Sequence, residues 1–392
     1  DVYKRQTDNC RKCLAHPCIN VCPVNAISMG KDRTIIDKDK CVRCGRCKEA
    51  CPYSAIVKYE RPCAAACGVD AISSDEYGRA EIDHDKCVAC GRCIAECPFG
   101  AISDKTQIFQ LIKAIKSGKK VYGAIAPSYI GQFGANTSAK QIIEAIKQLG
   151  FEDVLEVALG ADLTTLHEAK EYLERVPEDI PFMGTSCCFS WTLMIRNEFP
   201  EFFEQVSDSG SPMRYTANHI KAKDPDAVVV FIGPCTSKKL EALDTKVKSD
   251  VDFVITFEEL MGMFVAKNIE PSEIEVEENV DDGSALGRGY PIAGGVAESV
   301  KVVAEKLSPD KDIHIQGAHT LAECKKMLKI AKAGKLDGYL LEGMACPGGC
   351  VAGVGTIASV NRVKKQIEKF KKESAYPTPL ENIHIEKERE SI

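Results

Sequence analysis

The chain has no excess of positive charge, no long apolar run and no secretion signal, and each absence closes off a class of function. It carries 51 Lys and Arg against 57 Asp and Glu, a net charge of −6 over 392 residues, whereas a nucleic-acid binder wants a basic surface. No apolar stretch approaches the roughly 18 residues of a membrane span, and neither a signal peptide nor a twin-arginine pattern opens the sequence. An initiating Met is lacking too. The opening Asp-Val-Tyr-Lys-Arg-Gln resembles translated sequencing-adapter sequence, so residues 1–6 are set aside. What remains is ordinary for a soluble globular protein, at 44% hydrophobic and 28% charged, and is long enough for two or three domains. Cysteine is the exception. There are 20, and fourteen of them fall between Cys10 and Cys97. Their tight spacing gathers thiolates around common centres, which suits metal ligation in a reducing cytoplasm better than disulfides.

The run Cys41-x2-Cys44-x2-Cys47-x3-Cys51-Pro recurs as Cys87-x2-Cys90-x2-Cys93-x3-Cys97-Pro. HPCINVCPVNAI (16–27) likewise returns as RPCAAACGVDAI (61–72), a repeat of about 45 residues. This spacing resembles that of bacterial ferredoxins, in which three close thiolates hold a cubane and the fourth, before Pro, serves the neighbouring cluster. On that pattern Cys10, Cys13, Cys18 and Cys51 hold one 4Fe–4S cluster, and Cys22, Cys41, Cys44 and Cys47 hold a second. Cys67, Cys87, Cys90 and Cys93 hold a third. Cys63 and Cys97 are left as a pair, because Ala55 and Lys58 stand where Cys10 and Cys13 have their counterparts. They belong to a fourth cluster with other ligands, or one of them is spare. Paired CxxC also reads as zinc, but the four-Cys-plus-Pro run favours clusters.

From about Thr106 the pattern changes to alternating helices and short apolar strands. QIFQLIKAIKSG and TSAKQIIEAIKQLG read as helices ended by Gly118 and Gly150. Strands are expected at KVYGAIAP, VLEVAL, PFMGTS, AVVVFIG, DFVIT, IHIQG and YLLEG. The alternation predicts an α/β catalytic domain of mainly parallel sheet flanked by helices, preceded by an α+β ferredoxin-like iron–sulfur domain. The expected boundaries are 1–57 and 58–104 for the two repeats, 105–375 for the catalytic domain and 376–392 for a charged tail. Ligands of such sheets lie beyond the carboxyl ends of strands, and Cys187, Cys188, Cys235, Cys346 and Cys350 all fall there. Cys324, alone on a Lys-rich helix, reads as a buried structural cysteine.

The segments TSCCFSW (185–191), GPCTSKKLE (233–241) and EGMACPGGCVAGVG (342–355) resemble, in order, the three signature loops of iron-only (di-iron) hydrogenases. That resemblance implies an H-cluster, a cubane joined to a di-iron unit bearing CO, cyanide and azadithiolate. It assigns Cys188, Cys235, Cys346 and Cys350 to the cubane, with Cys350 also bridging to the di-iron unit. Cys187 takes the place of the proton-relay thiol. Lys238 takes that of the donor to one cyanide, a fixed cation facing an anionic acceptor. Pro127 and Ser128 lie near the other cyanide, and Met344 packs over the di-iron unit. Glu168, Glu171 and Arg175, spaced to share one helical face, join Ser207 and Cys187 in a proton route to solvent. On spacing alone they would read as a solvated charged face.

Four departures surround the pocket. Gly233 stands where the well-known catalytic members have Met, and TSCCFSW lacks the usual Pro-Gly before Trp. Tyr290-Pro291 replaces Phe-Gly, and VAGVG replaces a richer glycine run. The resemblance implies reversible proton reduction, an electron partner of ferredoxin or flavoprotein type, and dedicated maturation proteins. Two rivals share the fold: a hydrogen or redox sensor, and an iron–sulfur assembly protein lacking the di-iron unit.

Overall fold

A computed structural model of the chain describes residues 3–276 and 280–391. The contacts divide it into two units, 1–86 with 96–101, and 87–95 with 102–392. The expected boundaries differ from these: both cysteine repeats fall largely in the first unit, while the Cys87–Ala95 segment belongs to the second.

The first unit is built from short antiparallel ribbons. Its strands are β1 (Tyr3–Gln6), β2 (Ile27–Met29), β3 (Thr34–Ile36), β4 (Ile56–Tyr59), β5 (Ile72–Ser74) and β6 (Ala80–Ile82), paired β1–β4, β2–β3 and β5–β6. One-turn helices at Pro17–Asn20 and Pro62–Ala65 each open on proline, whose fixed φ suits a first helical position. Cys18 and Cys63 follow those prolines and are buried. The core around the first repeat is itself partly cysteine, with Cys18, Ile27, Cys47 and Ile56 packed together.

The second unit holds two parallel sheets. Strands β7 (Val121–Ile125), β8 (Asp153–Glu156), β9 (Met183–Gly184), β10 (Val228–Gly233), β11 (Phe253–Thr256), β12 (His314–His319) and β13 (Tyr339–Met344) all lie at expected strands. VLEVAL is the one that divides: it is extended only to Glu156, and Val157 opens the long Val157–Arg175 helix. One sheet has the order β11-β10-β7-β8 and the other β12-β13-β9. In the first, the chain leaves β7 toward β8 on one side and returns as β10 on the other. The carboxyl ends of β7 and β10 therefore flank a point where winding reverses, the usual place for a ligand crevice. The β10 strand is buried along its whole length, as a central parallel strand should be. The Ala139–Gln148 helix starts at Ser138 with a capping box to Gln141.

The 376–392 segment is not a loose charged tail. Its described residues form two 3-10 turns and the Glu386–Ser391 helix, with Asn382 and Ile385 fully buried. Asn382 donates from Nδ2 to Oδ2 of Asp162 at 2.7 Å, on the Val157–Arg175 helix. Among the described residues no helix is long and apolar enough to cross a membrane.

Candidate cluster sites and proton route

The cysteine loops repeat in conformation as well as in sequence. The residue before the second Cys of each CxxC is left-handed in three loops: Lys12 (φ 49°), Arg43 (φ 58°) and Ala89 (φ 52°). So is the third residue after Cys22, Cys51, Cys67 and Cys97, namely Asn25, Ser54, Asp70 and Gly100. In each of those four the next amide turns back onto the sulfur: Ala26 to Cys22 (3.3 Å), Ala55 to Cys51 (3.4 Å), Ala71 to Cys67 (3.2 Å) and Ala101 to Cys97 (3.3 Å). Amide hydrogen bonds to cysteine sulfur are among the contacts by which a protein tunes an iron–sulfur cluster. Cys97 thus has the same local geometry as the other three, although sequence pattern leaves it without a full ligand set. Cys67, Cys63 and Cys97 belong to the first unit, and Cys87, Cys90 and Cys93 to the second.

In the second unit the Cys87–Cys90 loop is stitched to two signature loops. Ser190 donates from Oγ to Val88 O at 2.9 Å, and Thr236 donates from Oγ1 to Ala89 O at 2.9 Å. Those hydroxyls stand within two residues of Cys188 and Cys235. Gly91 is tight here, because a Cβ on it would lie 2.5 Å from Cγ1 of Val354.

Cys188 follows β9, Cys235 follows β10, and Cys346 and Cys350 follow β13, so two sheets aim three loops at one region. Burial pushes all four thiols upward, and Cys188 adds to the rise of the other three. Cys235 is pushed to about 11 by burial and then by Cys188. Cys346 is raised by burial and then by Cys235, Cys350, Cys188 and, from the neighbouring loop, Cys90. Four crowded sulfurs that resist ionisation on their own fit a cationic iron centre, which would neutralise them together. Two glycines make the loop possible. A Cβ at Gly343 would meet Cδ2 of Trp191 at 2.1 Å, so the single, fully buried tryptophan lies against β13. Gly349 has φ 99° and is backed onto the 291–293 backbone.

Beside the four thiols, Ala161, Tyr290, Val296 and Met344 form a small buried cluster with Cys187 packed against it. Burial holds the Cys187 thiol well above its usual range, and Glu168 adds to this. Tyr290 reaches Oγ1 of Thr165 through its hydroxyl at 2.7 Å. Lys238 donates to Cys187 O at 3.0 Å and to Oε2 of Glu241 at 2.5 Å. Burial alone would lower its pKa, but the Glu241 carboxylate outweighs it and the net shift is upward. Pro127 and Ser128, just past β7, are buried, and the Ser128 hydroxyl has no partner among the described residues. Gly233 carries the ring of Phe231 where a larger residue would stand, 2.6 Å from a built Cβ.

Of the expected proton route, the outer half is joined directly. Ser207 donates from Oγ to Oε2 of Glu171 at 2.5 Å, and the Arg175 guanidinium pairs with the other oxygen of Glu171. The inner half differs. Glu168 is fully buried and accepts from the amide and hydroxyl of Ser186 at 2.7 and 2.8 Å, not from Ser207. Its second oxygen has no partner among the described residues. Burial raises Glu168 to about 7. Ser186, Ser207, Glu171, Arg175 and Glu241 all line one cavity of about 1060 Å³ that reaches exposed residues such as Lys246.

Sequence reading passed over Ser186, Glu241, Ser211 and Glu342. Ser211 donates to Oε1 of Glu241 at 2.5 Å. Glu342 accepts the Gly294 and Ala297 amides at 2.6 and 2.8 Å, holding the start of the Gly295–Leu307 helix. The one available signal was polar residues within or next to signature loops, where buried polar groups must be paired. Cys324 donates weakly to Ala318 O and Met344 O at 3.6 and 3.7 Å.

Residues 119–354 match the family described as iron only hydrogenase large subunit, C-terminal domain. Residues 10–61 and 57–108 each match the LdpA Fe-S cluster-binding domain. Iron hydrogenase 1 of Clostridium pasteurianum is 30% identical over 408 residues, covering 91% of this chain and 68% of its own. A cytosolic Fe-S cluster assembly factor, NAR1 of Candida dubliniensis, is 31% identical over 140 residues, covering 30% of this chain and 24% of its own. A solved apo FeFe-hydrogenase of Chlamydomonas reinhardtii superposes with a TM-score of 0.61 at 22% identity, covering 73% of this chain and 94% of that one. That likeness establishes the shared fold.

Proposed function

The chain belongs to the iron-only hydrogenase large-subunit family, and from that membership we propose that it interconverts protons, electrons and dihydrogen. The observation that carries this reading is electrostatic: the buried Cys188 thiol acts on those of Cys235, Cys346 and Cys350, with Cys187 close by and Lys238 held by Glu241. Those four cysteines would hold the cubane of an H-cluster. When bound, that group supplies the electron storage and the metal centre for hydrogen chemistry.

The protein's own part is positioning and proton handling. Lys238 presents a fixed cationic donor, while Pro127, Ser128 and Met344 shape the wall of the pocket. The Cys187 thiol would hold a proton beside the pocket, and Glu168, hydrogen-bonded to Ser186, would take it toward the cavity that Ser186 lines. A carboxyl near 7 can give and accept protons at neutral pH. Ser207, Glu171 and Arg175 then lead to the solvent-connected cavity. Three N-terminal 4Fe–4S clusters would carry electrons from a ferredoxin or flavoprotein in the cytoplasm, after loading by maturation proteins.

The partial match to an assembly factor favours a second reading, an iron–sulfur protein with the cubane but no di-iron unit. Infrared spectra of protein matured under anoxia decide between them. Bands of CO and cyanide together with hydrogen turnover support the hydrogenase. Iron without those bands supports the assembly reading.

A further inference from the structure

Arg288 is fully buried, and so is its carboxylate partner Glu156, whose Oε2 accepts from Nη2 at 2.8 Å. Arginine is almost never found so deep without a partner. The same nitrogen donates to Val280 O at 2.7 Å, and Nη1 donates to Phe370 O at 3.1 Å. The guanidinium carbon also lies 3.8 Å from the centre of the Phe370 ring. One side chain thus joins the end of β8, the segment before its own Ala285–Gly289 helix, and the Val360–Lys372 helix. Such a pair is weak evidence for stability, because apolar residues of similar size often serve as well. Glu156 Oε1 and Arg288 Nε even lack a partner among the described residues. What the arrangement supplies is direction, since a planar fork fixes the places of its acceptors.

Two holds on the Cys350 loop lead back to Arg288. The Ala285–Gly289 helix that carries it runs directly into Tyr290 and Pro291. There Pro291 O accepts from the amide of Val351, the residue after Cys350, and Ala293 N donates to Gly348 O, both at 3.1 Å. On the other side, Val363 and Ile367 of the Val360–Lys372 helix pack on Val351, with Ile292 against them. The far end of the short helix is fixed separately, because Asp162 accepts from the amide and hydroxyl of Ser284 at 2.9 and 2.6 Å. The helix is pinned at both ends.

We propose that Arg288, held by Glu156, is a positioning residue for the third signature loop. It sets where Cys350 stands by fixing the 290–293 backbone and the Val360–Lys372 helix to one point. It acts through Pro291 and Val351, not on a reacting group. This inference rests on the reading of Cys350 as a cluster ligand.

The first test is hydrogen exchange of the full chain without cofactor, read by mass spectrometry in peptides covering 288–294 and 347–353. Arg288→Met is expected to speed exchange there about tenfold while β7 and β10 keep wild-type protection, the mark of a local opening. Unchanged exchange overturns the proposal. So does an equal loss of protection in every peptide, which would make Arg288 an ordinary structural residue. If Arg288→Met does not fold, Arg288→Lys takes its place, keeping the charge for Glu156 without the fork, and is judged by the same outcomes.

Matured protein gives a second readout that a merely structural role would not move. The infrared bands of CO and cyanide are expected to shift or split in the variant, as Cys350 moves relative to the other three thiols. Bands at wild-type positions overturn the proposal. A variant that loses the iron of that site, with exchange raised only in the two segments, supports it. Should the wild type show no such bands, the hydrogenase reading fails, and exchange alone decides whether Arg288 positions the loop.

Discussion

Lys238 donates from Nζ to the backbone carbonyl of Cys187 at 3.0 Å, tying the loop after β10 to the loop after β9. The same ammonium meets Oε2 of Glu241 at 2.5 Å, and both side chains are almost fully buried, at 11% and 3% exposure. The lysine is therefore locked in place before any cofactor arrives, with its charge balanced by Glu241.

Replacing Glu241 by Gln leaves a buried cation uncompensated. Breaking such a pair costs about 3–5 kcal/mol, whereas replacing both partners by apolar residues of similar size is often close to neutral. The Glu241→Gln chain should melt several degrees below the wild type. The Lys238→Met/Glu241→Leu double variant should recover most of that loss yet show little hydrogen turnover. Thermal scans of the apo proteins and turnover of the matured ones check both halves. Equal melting of wild type and Glu241→Gln would show that the pair does not hold Lys238.

Glu168 is the second group with a testable environment. Burial raises its pKa from 4.5 to about 7, so the native protein keeps a proton there that the unfolded chain has lost. The native state then binds more protons in this window, and stability declines as pH rises from 4.5 to about 7. Glu168→Gln should flatten that decline, as followed by urea unfolding at several pH values. The same change should lower turnover by roughly 100-fold, the lower end for a lost acid–base group, while iron content stays at the wild-type level. It should also remove any inflection near neutral pH from the rate profile. A variant that fails to load iron would instead make Glu168 a structural residue.

How much of this was legible in the sequence depends on range. The ferredoxin spacing and the three signature loops are local, so Cys10 to Cys97 and Cys188, Cys235, Cys346 and Cys350 could be picked out residue by residue. Most strands were readable because buried parallel strands are continuous apolar runs, though the largely exposed His314–His319 strand is not one. The start of the Val157–Arg175 helix was not, since VLEVAL has no breaker and its helical half is as apolar as its strand. The stitching of Ser190 and Thr236 to the Cys87–Cys90 loop joins residues about a hundred or more apart, which no spacing rule reaches. Likewise Ser186, not Ser207, is the hydrogen-bond partner of Glu168, because the turn after β9 brings its amide and hydroxyl together onto one oxygen.

Ser207 tests the outer half of the route. Its hydroxyl donates to Glu171 at 2.5 Å and accepts the Ser209 amide at 3.2 Å. Ser207→Ala should cost about 1 kcal/mol of stability, the usual net worth of such a bond. Turnover should fall roughly tenfold, and Ser207→Thr, which keeps the hydroxyl, should restore it. If Thr and Ala behave alike in turnover assays, the hydroxyl carries no protons.

The glycine pair before Cys350 separates backbone conformation from crowding. Both Gly348 and Gly349 have positive φ, 83° and 99°, so alanine at either is strained by about 1 kcal/mol. At Gly348 the nearest atom to a new Cβ is the flexible Lys364 Nζ at 3.2 Å, which can swing aside. At Gly349 the neighbours are Pro291 O at 2.4 Å and Ala293 N at 2.6 Å. Neither can yield easily, because Ala293 N already donates to Gly348 O and Pro291 O already accepts from Val351 N, both at 3.1 Å. Gly349→Ala should therefore push the loop off the 291–293 backbone and displace Cys350 from the other three sulfurs. The expected result is loss of the irons at that site with the N-terminal clusters retained, seen as a partial fall in iron per chain and complete loss of hydrogen turnover. Gly348→Ala should keep its iron. Equal iron contents in the two variants would mean that close approach at Gly349 does not set the position of Cys350.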